Sequence, residues 1–203
     1  MAKQAYVYSG TDWVPLASEV TNLSTYQTKA ATGLIKLIPT SVAVGSGSGS
    51  ASASGTVTFS GASSVTLNNV FSATYDTYQI IVSNLTGATN GNLYLRFTSG
   101  GTQNTDNVFN IENLVVDGTS VSTSSYTAAE YVLGAARTTV SQISTFVTRP
   151  FTAAPKSLWS SGGGAGRLNL TTANYGNSIS FDGFRLIGDA ATMSGTITVL
   201  GIN

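Results

Sequence analysis

The stretch from Ser178 to Asn203 constrains the fold more than any other part of the chain. Two alternating runs, Ser178–Ile187 and Gly195–Ile202, flank a loop at Gly188-Asp189. In Thr196-Ile197-Thr198-Val199, polar and apolar residues, all β-branched, alternate at the two-residue period of a strand with one buried face. A chain that closes on such a run is expected to tie its end into a sheet rather than leave it frayed.

The same grammar extends back to Thr56. Strand-like segments are expected at 57–59, 64–70, 75–83, 92–98, 108–116, 126–134, 138–151 and 167–172. Between them stand Gly61, Asn68-Asn69, Asn90-Gly91, Gly100-Gly101, Asp117-Gly118 and Gly162-Gly163-Gly164. Many short strands at this spacing predict an all-β antiparallel sandwich of jelly-roll-like form. The absence of an exact internal repeat argues against a propeller or β-helix.

Ser and Thr exceed a quarter of the 203 residues, and only 9% are charged. The 41% apolar fraction is clustered enough to argue against disorder. Hydroxyls, rather than charges, must therefore solvate the outer faces of the strands. Nine basic residues balance nine acidic ones. No basic stripe is present, which argues against nucleic-acid binding. No apolar run reaches membrane-spanning length, so no membrane insertion is expected, and the first residues lack the apolar stretch of a signal peptide. The chain is expected to be made in a cytoplasm.

Upstream of the sandwich, Ala5–Tyr8 and Trp13–Leu16 read as a small hairpin around Ser9-Gly10-Thr11-Asp12. Leu16, Val20, Leu23, Gln27 and Ala30 follow at helical intervals, and Ser18 stands where a cap would. Two readings fit this stretch: an irregular connector with one helical turn, or a short trimeric coil or docked anchor helix. The division expected from sequence is an N-terminal anchoring segment at 1–43, a Gly/Ser/Ala-rich linker at 44–55 and a display domain at 56–203. An isolated hairpin is marginal in water. Tyr6, Tyr8 and Trp13, with Val20 and Leu23, are therefore candidate anchoring residues against a partner or the main domain.

The chain contains neither histidine nor cysteine. That removes the usual general base near neutral pH, the commonest metal ligands and every Ser-His or Cys-His nucleophile. Carboxylate-pair hydrolysis would need two of Asp76, Asp106, Glu112, Asp117, Glu130, Asp182 and Asp189 to converge. Most of these stand beside turn residues, where Asp caps backbone. The oxygen-rich segments Asn104–Asn107 and Asp117-Gly118 fit ordinary loop chemistry better than calcium binding. No catalytic residue, metal or cofactor is expected. Gly162–Gly166 is expected to be a flexible loop. Trp159 and Tyr175 flank it, and each has two readings: a residue closing the end of the sandwich, or a contact for a sugar ring.

Several stretches together resemble a module of bacteriophage, especially cyanophage, tail-fibre and virion structural proteins. They are Ile38-Pro39-Thr40-Ser41-Val42, Gly55-Thr56-Val57-Thr58-Phe59-Ser60-Gly61, Tyr75-Asp76-Thr77-Tyr78-Gln79-Ile80, Leu93-Tyr94-Leu95-Arg96-Phe97 and the closing Gly195–Ile202. The opening Ala5–Gly10 with Trp13-Val14-Pro15 adds to the likeness. The resemblance implies a jelly-roll-like sandwich exposed on a virion, commonly trimeric and in contact with other tail or capsid proteins. It implies a non-enzymatic structural role as a short tail fibre or fibre-like appendage. A capsid decoration or head fibre, and a module binding a host surface glycan, stand as alternatives.

Overall fold

The computed structural model describes Tyr6–Tyr8, Trp13–Pro15 and residues 33–202 apart from Ala165 and Ala190. The chain divides into two compact units, Met1–Leu34 and Ile35–Asn203. In the first, β1 (Tyr6–Tyr8) pairs antiparallel with β2 (Trp13–Pro15), with Val7 opposite Val14. This is the expected hairpin. The side chains of Tyr6, Tyr8 and Trp13, and the proposed helix carrying Val20 and Leu23, lie outside the described residues.

The second unit is an all-β sandwich of antiparallel sheets. The larger sheet runs β12 (Ser120–Ala128), β11 (Phe109–Asp117), β16 (Arg167–Tyr175), β15 (Lys156–Gly164), β14 (Ser141–Thr148), β8 (Thr77–Gly87), β18 (Met193–Ile202), β6 (Val57–Ala62) and β5 (Ser48–Ala51). Strand β3 (Leu34–Leu37) also pairs with β18. The smaller sheet runs β10 (Thr102–Gln103), β9 (Gly91–Ser99), β17 (Gly183–Gly188), β7 (Ser64–Asn68) and β4 (Ser41–Val44), with β13 (Tyr131–Ala136) also on β9.

Alternation decides which residues meet between the sheets. Val57, Phe59, Tyr78, Ile80, Val82, Ile197 and Val199 face inward from the larger sheet, opposed by Val65, Leu67, Leu93, Leu95, Phe97, Phe184 and Leu186 from the smaller. Phe97 stacks on Phe181 at 4.8 Å between centroids and meets Tyr175 edge-on at 5.6 Å. These are the offset and T-shaped geometries that aromatic quadrupoles favour.

Lys156 is buried in this core. Its ammonium donates to the carbonyls of Thr152, Ala154 and Ile179 and lies 5.3 Å from the Phe181 ring centroid. Three acceptors match the three ammonium donors. Desolvation holds its pKa below the ordinary lysine value.

Three expectations need correction. The Gly/Ser/Ala stretch at 44–55 is not a free linker. Its strand β5 pairs with β6, while β4 ends at Val44 on β7, so the stretch carries the chain from one sheet to the other. Gly47 makes that corner with φ +68, a conformation that favours glycine. Of the loop expected at Gly162–Gly166, Gly162–Gly164 form the end of strand β15, paired with β14 and β16, while Gly166 stands in a turn before β16. A Cβ on Gly162 would meet Ile143 Cγ1 at 2.7 Å and one on Gly134 would meet Ile143 Cδ1 at 3.1 Å, so glycine at both positions makes room for the Ile143 side chain. The single strand expected over 126–134 is two: β12 pairs with β11 in the larger sheet, and β13 belongs to the smaller.

Candidate functional site

The outer face of the larger sheet carries the candidate site. Register sets Glu112, Thr172, Trp159, Phe146, Gln79 and Leu200 in one row across β11, β16, β15, β14, β8 and β18. The row beside it holds Leu114, Leu170, Ser161, Ser144, Ile81 and Thr198. Within these two rows Glu112 is the sole charged residue. The rest are hydroxyls, amides and apolar groups.

Trp159 is 46% exposed although it sits in the middle of a sheet. Its indole stacks on Phe146, the directly opposite residue of β14, at 5.5 Å between centroids and 25° between planes. The stack fixes the orientation of the indole and leaves much of it in solvent. Trp159 also borders a shallow groove of about 370 Å³ with Glu112, Leu114, Thr123, Leu170 and Thr172. A second groove, of about 340 Å³, lies over Gln142, Ser144, Ser161, Gly163 and Leu168. Gly163 projects no side chain into it.

Polar groups along the grooves are held in place. Ser125 donates to Glu112 Oε1 at 2.7 Å, and Gln79 donates to Ser144 Oγ at 2.9 Å. One Glu112 oxygen thus remains available to accept. The arrangement offers a flat apolar surface with carboxylate, amide and hydroxyl groups beside it. That combination suits a pyranose, which has one C–H face and a rim of hydroxyls.

Trp159 therefore stands where the sugar-contact reading requires it. Tyr175 does not, and its sequence reading as a surface contact is corrected. It faces inward from β16, is fully buried, and donates its hydroxyl to Asn104 Oδ1 at 3.1 Å. Desolvation, with the Asp106 carboxylate adding to it, pushes its pKa up to about 12. One position of alternation separates the two fates: Trp159 is odd along β15 and points out, while Tyr175 continues the inward series Thr171, Ala173 of β16. Phe146 and Leu170 were not singled out from sequence, and Glu112 was named only as a candidate for a carboxylate pair. The outward phase of β11 and β14 was the available signal, once β15 is recognised as a strand between them and β16.

Five of the other carboxylates serve local roles. Asp182 accepts from the Gly100 N–H at 2.8 Å, and Asp189 from the Asn92 N–H and, at 3.1 Å, the Tyr94 hydroxyl. Asp117 pairs with Arg137 at 3.2 Å, and Glu130 with Arg96 at 2.5 Å. In the loop 104–107, Asp106 accepts from Asn104 Nδ2. Among the described residues no three carboxylates gather as a metal cage, and no helix is long and apolar enough to cross a membrane.

No protein-family model matches this sequence, and neither does any curated protein. Among solved structures, the chain is similar to domain 4 of a GH43 extracellular arabinanase from Geobacillus stearothermophilus, solved with arabinotriose. The identity is 8%, over 79% of this chain and 81% of that one, at TM-score 0.36. It is similar to the SPRY domain of human HERC1 at 8% identity, over 82% and 98% of the two chains, at TM-score 0.33. Similarity to the PRD1 vertex protein reaches 17% identity over 86% and 99% of the chains, at TM-score 0.25. At these scores the likenesses carry no functional argument, and the chemistry of the site rests on its own side chains.

Proposed function

We propose that this chain is a non-enzymatic virion structural protein, a short tail fibre or fibre-like appendage. In this reading the N-terminal segment attaches it to other virion proteins, and the sandwich, exposed on the particle, presents the outer face of its larger sheet to a host surface glycan. The virion assignment is supported by the strand and turn motifs described from sequence. The binding assignment is carried by one observation: Trp159 is half exposed, stacked on Phe146, and bordered by hydroxyls and a single carboxylate. A tryptophan left in solvent on a hydroxyl-rich sheet contributes little to the core, whereas it gives a sugar ring a preformed, oriented surface.

A glycan array probed with the full chain and with Trp159→Ala tests the binding reading. Binding by the wild type that falls severalfold or more in the variant is expected, because the indole is the stacking surface of the platform. Absence of binding to any glycan overturns it. Antibody-gold labelling of intact particles tests the placement. Label on the tail supports a fibre, and label spread over the head replaces it with a capsid decoration.

A second reading is favoured by Val121 and Leu168, which are exposed at one end of the same face. Apolar residues grouped there suit a subunit interface of a trimer. Sedimentation decides it. A wild-type trimer that becomes a monomer in the Val121→Ser, Leu168→Ser double variant assigns this end of the face to self-association.

A further inference from the structure

The outer face of the smaller sheet holds a different chemistry. Register places Ala43, Thr66, Arg185 and Arg96 in one row across β4, β7, β17 and β9. Two arginines are thus direct cross-strand partners in a chain that has only nine basic residues. Like charges opposed in this way destabilise a sheet. Glu130 answers Arg96 at 2.5 Å, and among the described residues Arg185 forms no ion pair.

Arg185 lines a cleft of about 290 Å³ with Ser64, Thr66, Asn68, Gly45 and Gly101. Its Nη2 donates to Ser64 Oγ at 2.8 Å, while its Nε finds no acceptor. Across the same cleft, Asn68 Nδ2 donates to Ser41 Oγ, but Asn68 Oδ1 accepts from nothing among the described residues. Polar groups taken from water without partners are costly. The cleft therefore carries a cation with no ion pair among the described residues, and two unpartnered polar atoms, Arg185 Nε and Asn68 Oδ1, shielded from water.

Glycine keeps the cleft open. A Cβ on Gly45 would sit 2.5 Å from Ser64 Oγ, and one on Gly101 would sit 3.4 Å from Asn68 Oδ1. The space lies at the lower end of small-molecule sites, about 300 Å³, and suits a single sugar ring rather than a chain.

We propose that this cleft binds one acidic sugar residue through its carboxylate. The guanidinium of Arg185 receives the carboxylate, for which its planar fork is matched. The hydroxyls of Thr66 and Ser64 meet the sugar ring. The site lies on the opposite sheet from Trp159 and stands independently of that platform.

The test is calorimetric titration of the full chain with D-glucuronate, D-glucose and acetate. Glucuronate binding that weakens with added salt, exceeds acetate and is absent for glucose is expected. Arg185→Gln should weaken glucuronate at least about tenfold, as loss of a charge-assisted pair costs roughly 1.5–3 kcal/mol. Gly45→Ala, which narrows the cleft without changing charge, should weaken it too, and thermal melts confirm that both variants fold. Trp159→Ala should bind glucuronate as the wild type does, whatever it does to the array. No binding of glucuronate by the wild type, equal binding of glucose, or unchanged affinity in Arg185→Gln overturns the proposal. Acetate binding as tightly as glucuronate overturns the sugar assignment.

Discussion

The larger sheet presents a stacked Trp159–Phe146 pair beside a lone carboxylate, whereas the smaller sheet presents two apposed arginines, Glu130 and a polar cleft. Their inner faces are alike: both are rows of Val, Leu, Ile, Phe and Tyr buried against one another. The stability of the domain thus comes from what the sheets share, and its recognition chemistry from where they differ. The aromatic face suits ligands held by stacking and hydroxyl contacts, which salt barely affects. The arginine face suits an anion, and its affinity must fall with ionic strength.

The largest effect is expected from the shared interior. Phe97→Ala should cost about 3–5 kcal/mol, the range for a buried aromatic, because Phe97 touches Phe71, Phe109, Tyr175 and Phe181. Trp159→Ala should cost less, because the indole is half exposed and its stacking partner Phe146 adds only about 0.5–1.5 kcal/mol beyond area burial. Urea unfolding of both variants measures the gap. Equal losses would break the division between a stabilising interior and a binding exterior.

Next comes Gly162→Val. Its Cβ would meet Ile143 Cγ1 at 2.7 Å, and overpacking of this kind costs about 1–3 kcal/mol. If Gly162 were a loop residue the substitution would be nearly neutral in thermal melts. A small change would therefore contradict its place in β15.

The smallest effect is confined to alkaline pH. Tyr175 titrates near 12 in the fold against an ordinary value of 10. Between these values the unfolded chain loses the proton first, so stability is full below pH 10 and falls as pH rises towards 12. Lys156 acts in the opposite sense. Its lowered pKa means that the unfolded chain holds more proton, so its penalty is relieved as pH rises towards 10.5. Denaturation between pH 8 and 12 should show the Tyr175 loss flattened in Tyr175→Phe. Identical slopes in the two proteins would mean that Tyr175 is solvated rather than buried.

Much of the sandwich was legible because alternation is local. Leu93-Tyr94-Leu95-Arg96-Phe97 shows its inward and outward sides within five residues, and Gly195–Ile202 does the same. Strand β15 was hidden because Ser160–Gly164 has no apolar residue to alternate. Ser160 is buried by its hydrogen bonds to Tyr131 and the Leu133 carbonyl, not by its hydrophobicity. Strand β12 was hidden for the opposite reason. Almost every residue from Ser120 to Ala128 is exposed, so an edge strand of Ser and Thr reads as loop.

The sequence by itself determined an all-β chain, the strand segments with strong alternation, and a chemistry without histidine, cysteine or a basic stripe. These follow from residue type and nearest-neighbour periodicity. Only the tertiary structure decided that the Gly/Ser/Ala stretch turns a corner between sheets, that Trp159 faces solvent while Tyr175 is buried, and that Arg96 stands opposite Arg185. Each depends on which distant strand lies alongside, and cross-strand register is set by packing of the whole core, not by local composition.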